Sequence, residues 1–184
     1  MAKQFPDIAP HIARYIDRQK IFFTATAAPG ARVNLSPRPT DCLRVLSPSS
    51  VCYLDQTGSG NETAAHLLAD GRMTIMFCAF EGPPMILRLY GTGTSLQVGT
   101  PAYDALLAEA YGGEAPLSAR QIVRLDIDLV QTSCGYGVPE FDYVGERTVL
   151  LDWADTKGPE GLVAYRAEKN VRSIDGLPTG FPGA

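Results

Sequence analysis

Ile8, Ile12, Tyr15 and Ile16 fall on one face of a helix, so the first twenty residues predict an amphipathic N-terminal helix. The period then changes. IFFTATA (21–27) is rich in β-formers, and an Ala-Pro-Gly-Ala turn returns the chain into RVNLSPRP, which predicts a hairpin. CLRVL, the turn Ser47-Pro48-Ser49-Ser50 and VCYLD follow as short strands. QTGSGNETAAHLLADGR reads as a loop opening a short helix. MTIMFCAF is almost continuously apolar, and Gly82-Pro83-Pro84 turns it into MILRLYGTGTSL, long enough to pair back on it. Thr100 to Tyr111 has the Thr-Pro start and double-glycine stop of a helix. In QIVRLDIDLVQTSCG, Ile122, Leu125, Ile127, Leu129 and Val130 interleave with Arg124, Asp126 and Asp128, the pattern of a half-buried strand. From Tyr136 turns and aromatics dominate, with a helix predicted over 159–170. About six strands joined mostly by turns, with three or four helices, fit a small antiparallel barrel with appended helices. An open α+β sheet fits the same pattern.

Composition narrows the function more than the fold. The chain has 184 residues, 45% hydrophobic and 20% charged, which suits a single domain with a real core. Its parts are a helix over 1–20, the barrel over 21–135 and an extension over 136–184. No apolar run approaches the roughly 20 residues of a membrane helix. A net charge of −4 disfavours a nonspecific nucleic-acid binder. Cys42, Cys52, Cys78 and Cys134 form no C-x-x-C pair and stand at no zinc spacing, so no metal site is expected. Without a secretion signal in the first twenty residues, the expectation is free thiols in the cytoplasm.

Chemistry-bearing residues concentrate in TGSGNET. Ser59 and Glu62 have the S-x-x-E spacing of a capping box, which makes the segment a helix cap. Its glycines, hydroxyls and helix-start N–H groups also suit an anion. No lysine lies between Lys20 and Lys157, whereas eight arginines do. Guanidinium forks suit phosphate and carboxylate. Arg38 and Arg88 each interrupt an apolar strand, as anion ligands or as partners of Asp55 or Glu62. His11 and His66 sit in helical stretches as surface or packing residues, and there is no G-x-S-x-G elbow. The chain offers an anion place with apolar walls and few groups for hydrolysis, so it either binds or lets a cofactor do the chemistry.

Taken in order, VNLSPRP, VCYLD, TGSGNETAAHL, MTIMFCAFEGPPMILRLYG, QTSCGYGVP and SIDGLP resemble the FMN-binding, pyridoxamine 5'-phosphate oxidase-related family. The resemblance covers roughly 20–138. It implies a mostly β fold with α additions, a six-stranded antiparallel split β-barrel with flanking helices. It also implies a homodimer with FMN at the subunit interface. By motif, Asn34, Ser36, Pro37 and Arg38 would line the flavin edge, with Leu54 and Asp55 following. Asn61, Glu62 and Thr63 would meet the phosphate, and Arg88 would face the flavin. Tyr136, Tyr143 and Trp153 of the extension would close over the partner's site.

Two departures matter. Glu62-Thr63 stands where true pyridoxamine phosphate oxidases carry Arg-Lys, so Arg38, Arg44 or Arg88 would have to supply the missing cation. Their basic, histidine-bearing C-terminal motif is replaced by SIDGLPTGFPGA. The resemblance thus implies an FMN-dependent oxidoreductase acting on another small-molecule substrate. A non-catalytic carrier or sensor of flavin, deazaflavin or haem stands beside it, as does a structural dimer whose cradle is only a cap. No catalytic proton donor is marked by the sequence.

Overall fold

The computed structural model describes residues 2–182. In chain order its elements are β1 (Lys3–Phe5), α1 (Pro10–Ile16), β2 (Ile21–Thr26), β3 (Asn34–Pro39), β4 (Leu43–Ser47), β5 (Ser50–Gln56), α2 (Glu62–Ala69), β6 (Arg72–Cys78), β7 (Met85–Gln97), α3 (Pro101–Tyr111), β8 (Ala119–Cys134) and α4 (Val149–Lys169). All strand pairs are antiparallel and join in one sheet, ordered β3-β2-β6-β7-β8-β5-β4. Six strands were expected; seven lie on this path and β1 adds an eighth. Three residues are too few to carry a periodicity, so β1 left no signal.

β8 organises the sheet because it is 16 residues long. On one side it pairs with β7; on the other it serves β5 through Ala119–Asp126 and β1 through Val130–Thr132. Its clean alternation holds only over Val123–Asp128, and the five residues Ala119–Val123 are all buried. There both faces are covered: Val123 joins the main core while Ile122 packs with Tyr103 and Leu106 of α3.

The main core is an aromatic and aliphatic layer on the concave side. Phe22 lies 5.4 Å from Tyr53 and 5.8 Å from Phe77, ring to ring, among Val51, Ile75, Leu87 and Leu89. The buried Ile12, Tyr15 and Ile16 of α1 join this layer, as the helical spacing predicts. α3 has its expected ends: Thr100 accepts from the Tyr103 N–H at 3.3 Å, and Gly112 closes the helix with φ 65°.

Sheet curvature has an identifiable source. The β7–β8 register slips between Tyr90 and Gly91, which stand opposite Leu129 and Ile127. A β-carbon on Gly91 would lie 1.9 Å from the Asp126 carbonyl oxygen, so only glycine fits. Such a bulge bends and twists the strand pair.

Two local expectations need correction. α4 starts at Val149, ten residues before the expected start, and runs to Lys169 across a kink at Gly158, φ 68°. Pro159 belongs to that kink, and its helix-start signal masked the preceding turns. The Ser59–Glu62 capping box does not form: Asn61 is the N-cap residue, without a side-chain cap bond, and Ser59 is exposed. The Glu62 carboxylate is drawn elsewhere, to the C-terminal turn described below.

Candidate functional site

Beside the β3 edge lies a cleft of about 1900 Å³. β3 builds one wall, because alternate residues of a strand share a face. Asn34, Ser36 and Arg38 are half-buried along it, and Pro37 and Leu54 also line the cleft.

Asn34 is held in one orientation. Its Nδ2 donates to Thr26 Oγ1 and Thr63 Oγ1, both at 3.1 Å, and its Oδ1 accepts from Ser36 Oγ at 3.2 Å. Thr26 in turn meets His66 Nδ1 at 3.1 Å, so the buried His66 serves packing and orientation beneath the wall.

Arg38 pairs with Asp55 and lies over the Tyr53 ring at 5.3 Å. Its Nε has no hydrogen-bond partner among the described residues. Asp55 is 1% exposed, and its Oδ2 also accepts from Arg120 Nε at 2.8 Å and Gln121 Nε2 at 2.7 Å. Burial alone would raise the Asp55 pKa. The charges of Arg120 and Arg38 and the hydrogen bonds from Arg120 and Gln121 outweigh it, and hold the carboxyl below its usual range. Two cations and one anion leave a net +1 under the cleft.

The network continues into the TGSGNET loop and the far end of the chain. Arg120 Nη1 donates to the Gly60 carbonyl at 2.8 Å and to Asn170 Oδ1 at 3.0 Å. Asn170 Nδ2 donates to the Gly58 carbonyl at 2.9 Å, and Asn61 bridges Gln121 and the Asn170 carbonyl. The turn after α4 clasps the start of α2: the Ile174 N–H donates to both Glu62 carboxylate oxygens, at 3.1 and 3.0 Å.

A family model described as pyridoxamine 5'-phosphate oxidase matches residues 8–134. The chain belongs to this family. It is 37% identical over 190 residues to the pyridoxamine 5'-phosphate oxidase family protein ustO of Aspergillus flavus, across 95% of this chain and 76% of that protein. Two solved structures share its fold. One is HupZ from Group A Streptococcus, at 19% identity and TM-score 0.52, covering 66% of this chain and 91% of that one. The other is a pyridoxamine 5'-phosphate oxidase-related, FMN binding protein from Nostoc punctiforme, at 17% identity and TM-score 0.51, covering 71% and 87%. The curled sheet with flanking helices is the split barrel of this family.

Within this family frame, seven of the ten residues singled out from sequence line the cleft: Asn34, Ser36, Pro37, Arg38, Leu54, Glu62 and Thr63. Asp55 and Asn61 are buried beneath it, at 1% exposure each, with their side chains in the network. Arg88 is not among the lining residues; its Nη1 donates to Ser133 Oγ at 3.2 Å. The sequence reading passed over Gln121 and Asn170 and counted Arg120 only as one arginine among several. For Arg120 and Gln121 the one signal is Arg-Gln at the start of an otherwise apolar strand segment, two polar residues where the pattern asks for core; Asn170 carries none.

The extension shapes the cleft's roof. Residues 136–148 carry no helix or strand and line the cleft in part. The Phe141 N–H donates to the Phe80 carbonyl at 3.0 Å with the rings 5.4 Å apart, and the Tyr143 N–H donates to Glu81 at 3.2 Å. Tyr143 thus sits on its own chain's cleft rim, Tyr136 is 84% exposed, and Trp153 packs on Tyr165 within α4. Among the described residues no helix is long and apolar enough to cross a membrane.

Burial, with the Asp41 carboxylate, pushes the Cys42 thiol up to about 12, and burial pushes Tyr53 up to about 12 against the pull of Arg38. Burial also raises Cys52 and Cys78. These shifts favour the protonated forms at neutral pH, for the Cys42 thiol in the cleft wall as for the buried Tyr53 phenol. Titrating native protein with an aromatic disulfide reagent is expected to label the exposed Cys134 fast, the half-buried Cys42 more slowly, and Cys52 and Cys78 only on unfolding.

Proposed function

We propose that this chain holds FMN in the β3 cleft and acts as an oxidoreductase on a small substrate other than pyridoxamine phosphate. The carrying observation is the β3 wall, where an oriented Asn34–Ser36 pair and the Arg38 cation stand in line, Arg38 being the cleft-facing member of a buried cluster of two cations and one anion. That set matches a planar ring with a polar edge joined to an anion. The Arg38 side chain is 18% exposed and lines the cleft, so its guanidinium can meet a ligand anion there.

When bound, a flavin supplies hydride and electron transfer. The chain supplies position and electrostatics. Asn34, fixed by Thr26 and Thr63, presents the Ser36 hydroxyl with its hydrogen already committed, so an oxygen lone pair faces the ligand. Pro37 and Leu54 give apolar contact, and residues 141–147 screen the cleft from water. Arg38 holds negative charge at the wall without giving up a proton.

Two copies sharing the site fit the same reading. Val144 at 99% exposure, Tyr136 at 84% and Val149 at 70% leave apolar surface around the cleft mouth for a partner chain to cover.

The test is the visible spectrum of gently purified protein before and after FMN, with mass spectrometry of anything released. Perturbed flavin bands are expected. A colourless protein that ignores FMN overturns the reading, and a haem band or a deazaflavin mass replaces the cofactor. Arg38→Gln is expected to raise the Kd for FMN by about 10- to 100-fold, the worth of a charge-assisted hydrogen bond, and to spare riboflavin. Equal titration curves for wild type and variant would remove Arg38 from the site.

A further inference from the structure

The start of α2 is already supplied with an anion. Glu62 is the first residue of that helix, and its carboxylate accepts the Ile174 N–H through both oxygens. It folds back over the preceding loop, where a β-carbon on Gly60 would lie 3.3 Å from Glu62 Oε1. The clasp is braced from three sides. Asp175 accepts from the Arg32 backbone and guanidinium, Asn170 is fully buried on the Gly58 carbonyl, and Thr179 Oγ1 donates to the Asn170 carbonyl at 2.6 Å. Glu62, Thr63 and Arg38 all line the same cleft.

We propose that Glu62, latched by the C-terminal turn, is a specificity residue: it excludes a ligand's phosphate from the start of α2 and directs that anion to Arg38. The inference rests on the flavin reading for its ligand and on the clasp for its geometry. Two like charges within a few ångströms repel, and near a protein surface the repulsion changes affinity severalfold. The ligand class selected is one whose phosphate reaches the β3 wall, with its ring held along Asn34 and Ser36.

The experiment titrates FMN and riboflavin, which lacks the phosphate, into wild type, Glu62→Gln and Glu62→Ala. Glu62→Gln removes the charge and keeps one of the two oxygens that accept the Ile174 N–H. The expected result is FMN binding tightened by about fivefold or more relative to riboflavin in both variants. An unchanged or lower ratio in a folded variant overturns the proposal, and so does failure of both variants to fold, which would make Glu62 a structural residue. If no protein binds flavin, the cofactor reading fails by itself. Melting curves in phosphate against chloride of equal ionic strength then decide the role of Glu62: stabilisation by phosphate in the variants beyond wild type supports it, and no difference overturns it.

Discussion

Asp55→Asn is expected to lower the melting temperature by about 10 °C and to abolish ligand retention in the cleft. Among the described residues, Asp55 is the one carboxylate against Arg38 and Arg120, whose side chains are 18% and 4% exposed. Removing one partner of a buried ion pair leaves an uncompensated charge and costs about 3–5 kcal/mol; a domain of this size loses roughly 2–4 °C for each kcal/mol. The amide keeps the shape and one accepting oxygen but turns its NH2 toward a donor, so the loss reads charge and one acceptor together. The pH dependence has a definite sign. The folded pKa of Asp55 lies below its unfolded value of about 3.9, so its contribution is full above that value. It is lost as pH falls through the folded pKa. Urea unfolding at several pH values should give a constant gap between wild type and variant from pH 7 to pH 5, narrowing below about pH 4. A gap that does not narrow would mean that Asp55 is not the titrating partner.

Gly91→Ala is expected to cost about 3 kcal/mol or more, large for the addition of one methyl group. The new β-carbon would meet backbone, the Asp126 carbonyl at 1.9 Å, with no side chain able to move aside. Relief requires β7 and β8 to separate at their register slip. Gly99→Ala is the control. It also replaces a glycine, one with positive φ, 84°, but its β-carbon would meet nothing within 4 Å. Chemical denaturation should separate the two by at least about 2 kcal/mol in the direction of Gly91; equal losses would show that the close approach at Gly91 costs no more than the left-handed backbone at Gly99.

What could be read from the sequence was local. The β2–β3 hairpin, α1 and the ends of α3 follow from period and punctuation, because Pro, Gly and Thr act on their immediate neighbours. β3 was placed well enough to bring Asn34, Ser36 and Arg38 to the cleft. The Arg38–Asp55 pair was one of two partners considered, and nothing in spacing chose between Asp55 and Glu62. Long-range polar contacts were out of reach. Arg120 meets Asp55 across 65 positions and Asn170 meets Gly58 across 112, and a single sequence carries no trace of such pairings. TGSGNET misled for the same reason: its capping-box spacing is genuine, but Ile174, 112 positions away, claims the Glu62 carboxylate.

The Asn170 contacts also set the order in which the cleft can be assembled. The β2–β3 hairpin closes between neighbours in the chain and can form as soon as its residues exist, so the wall is early. The floor is late. The Gly58 carbonyl and part of the Arg120 guanidinium wait for Asn170 to be synthesised, carried back and docked before they are matched. Closing so long a loop is entropically costly until its contacts form together. A ligand that needs both wall and floor therefore reports on the finished chain, and during refolding its capture should lag behind the appearance of the sheet.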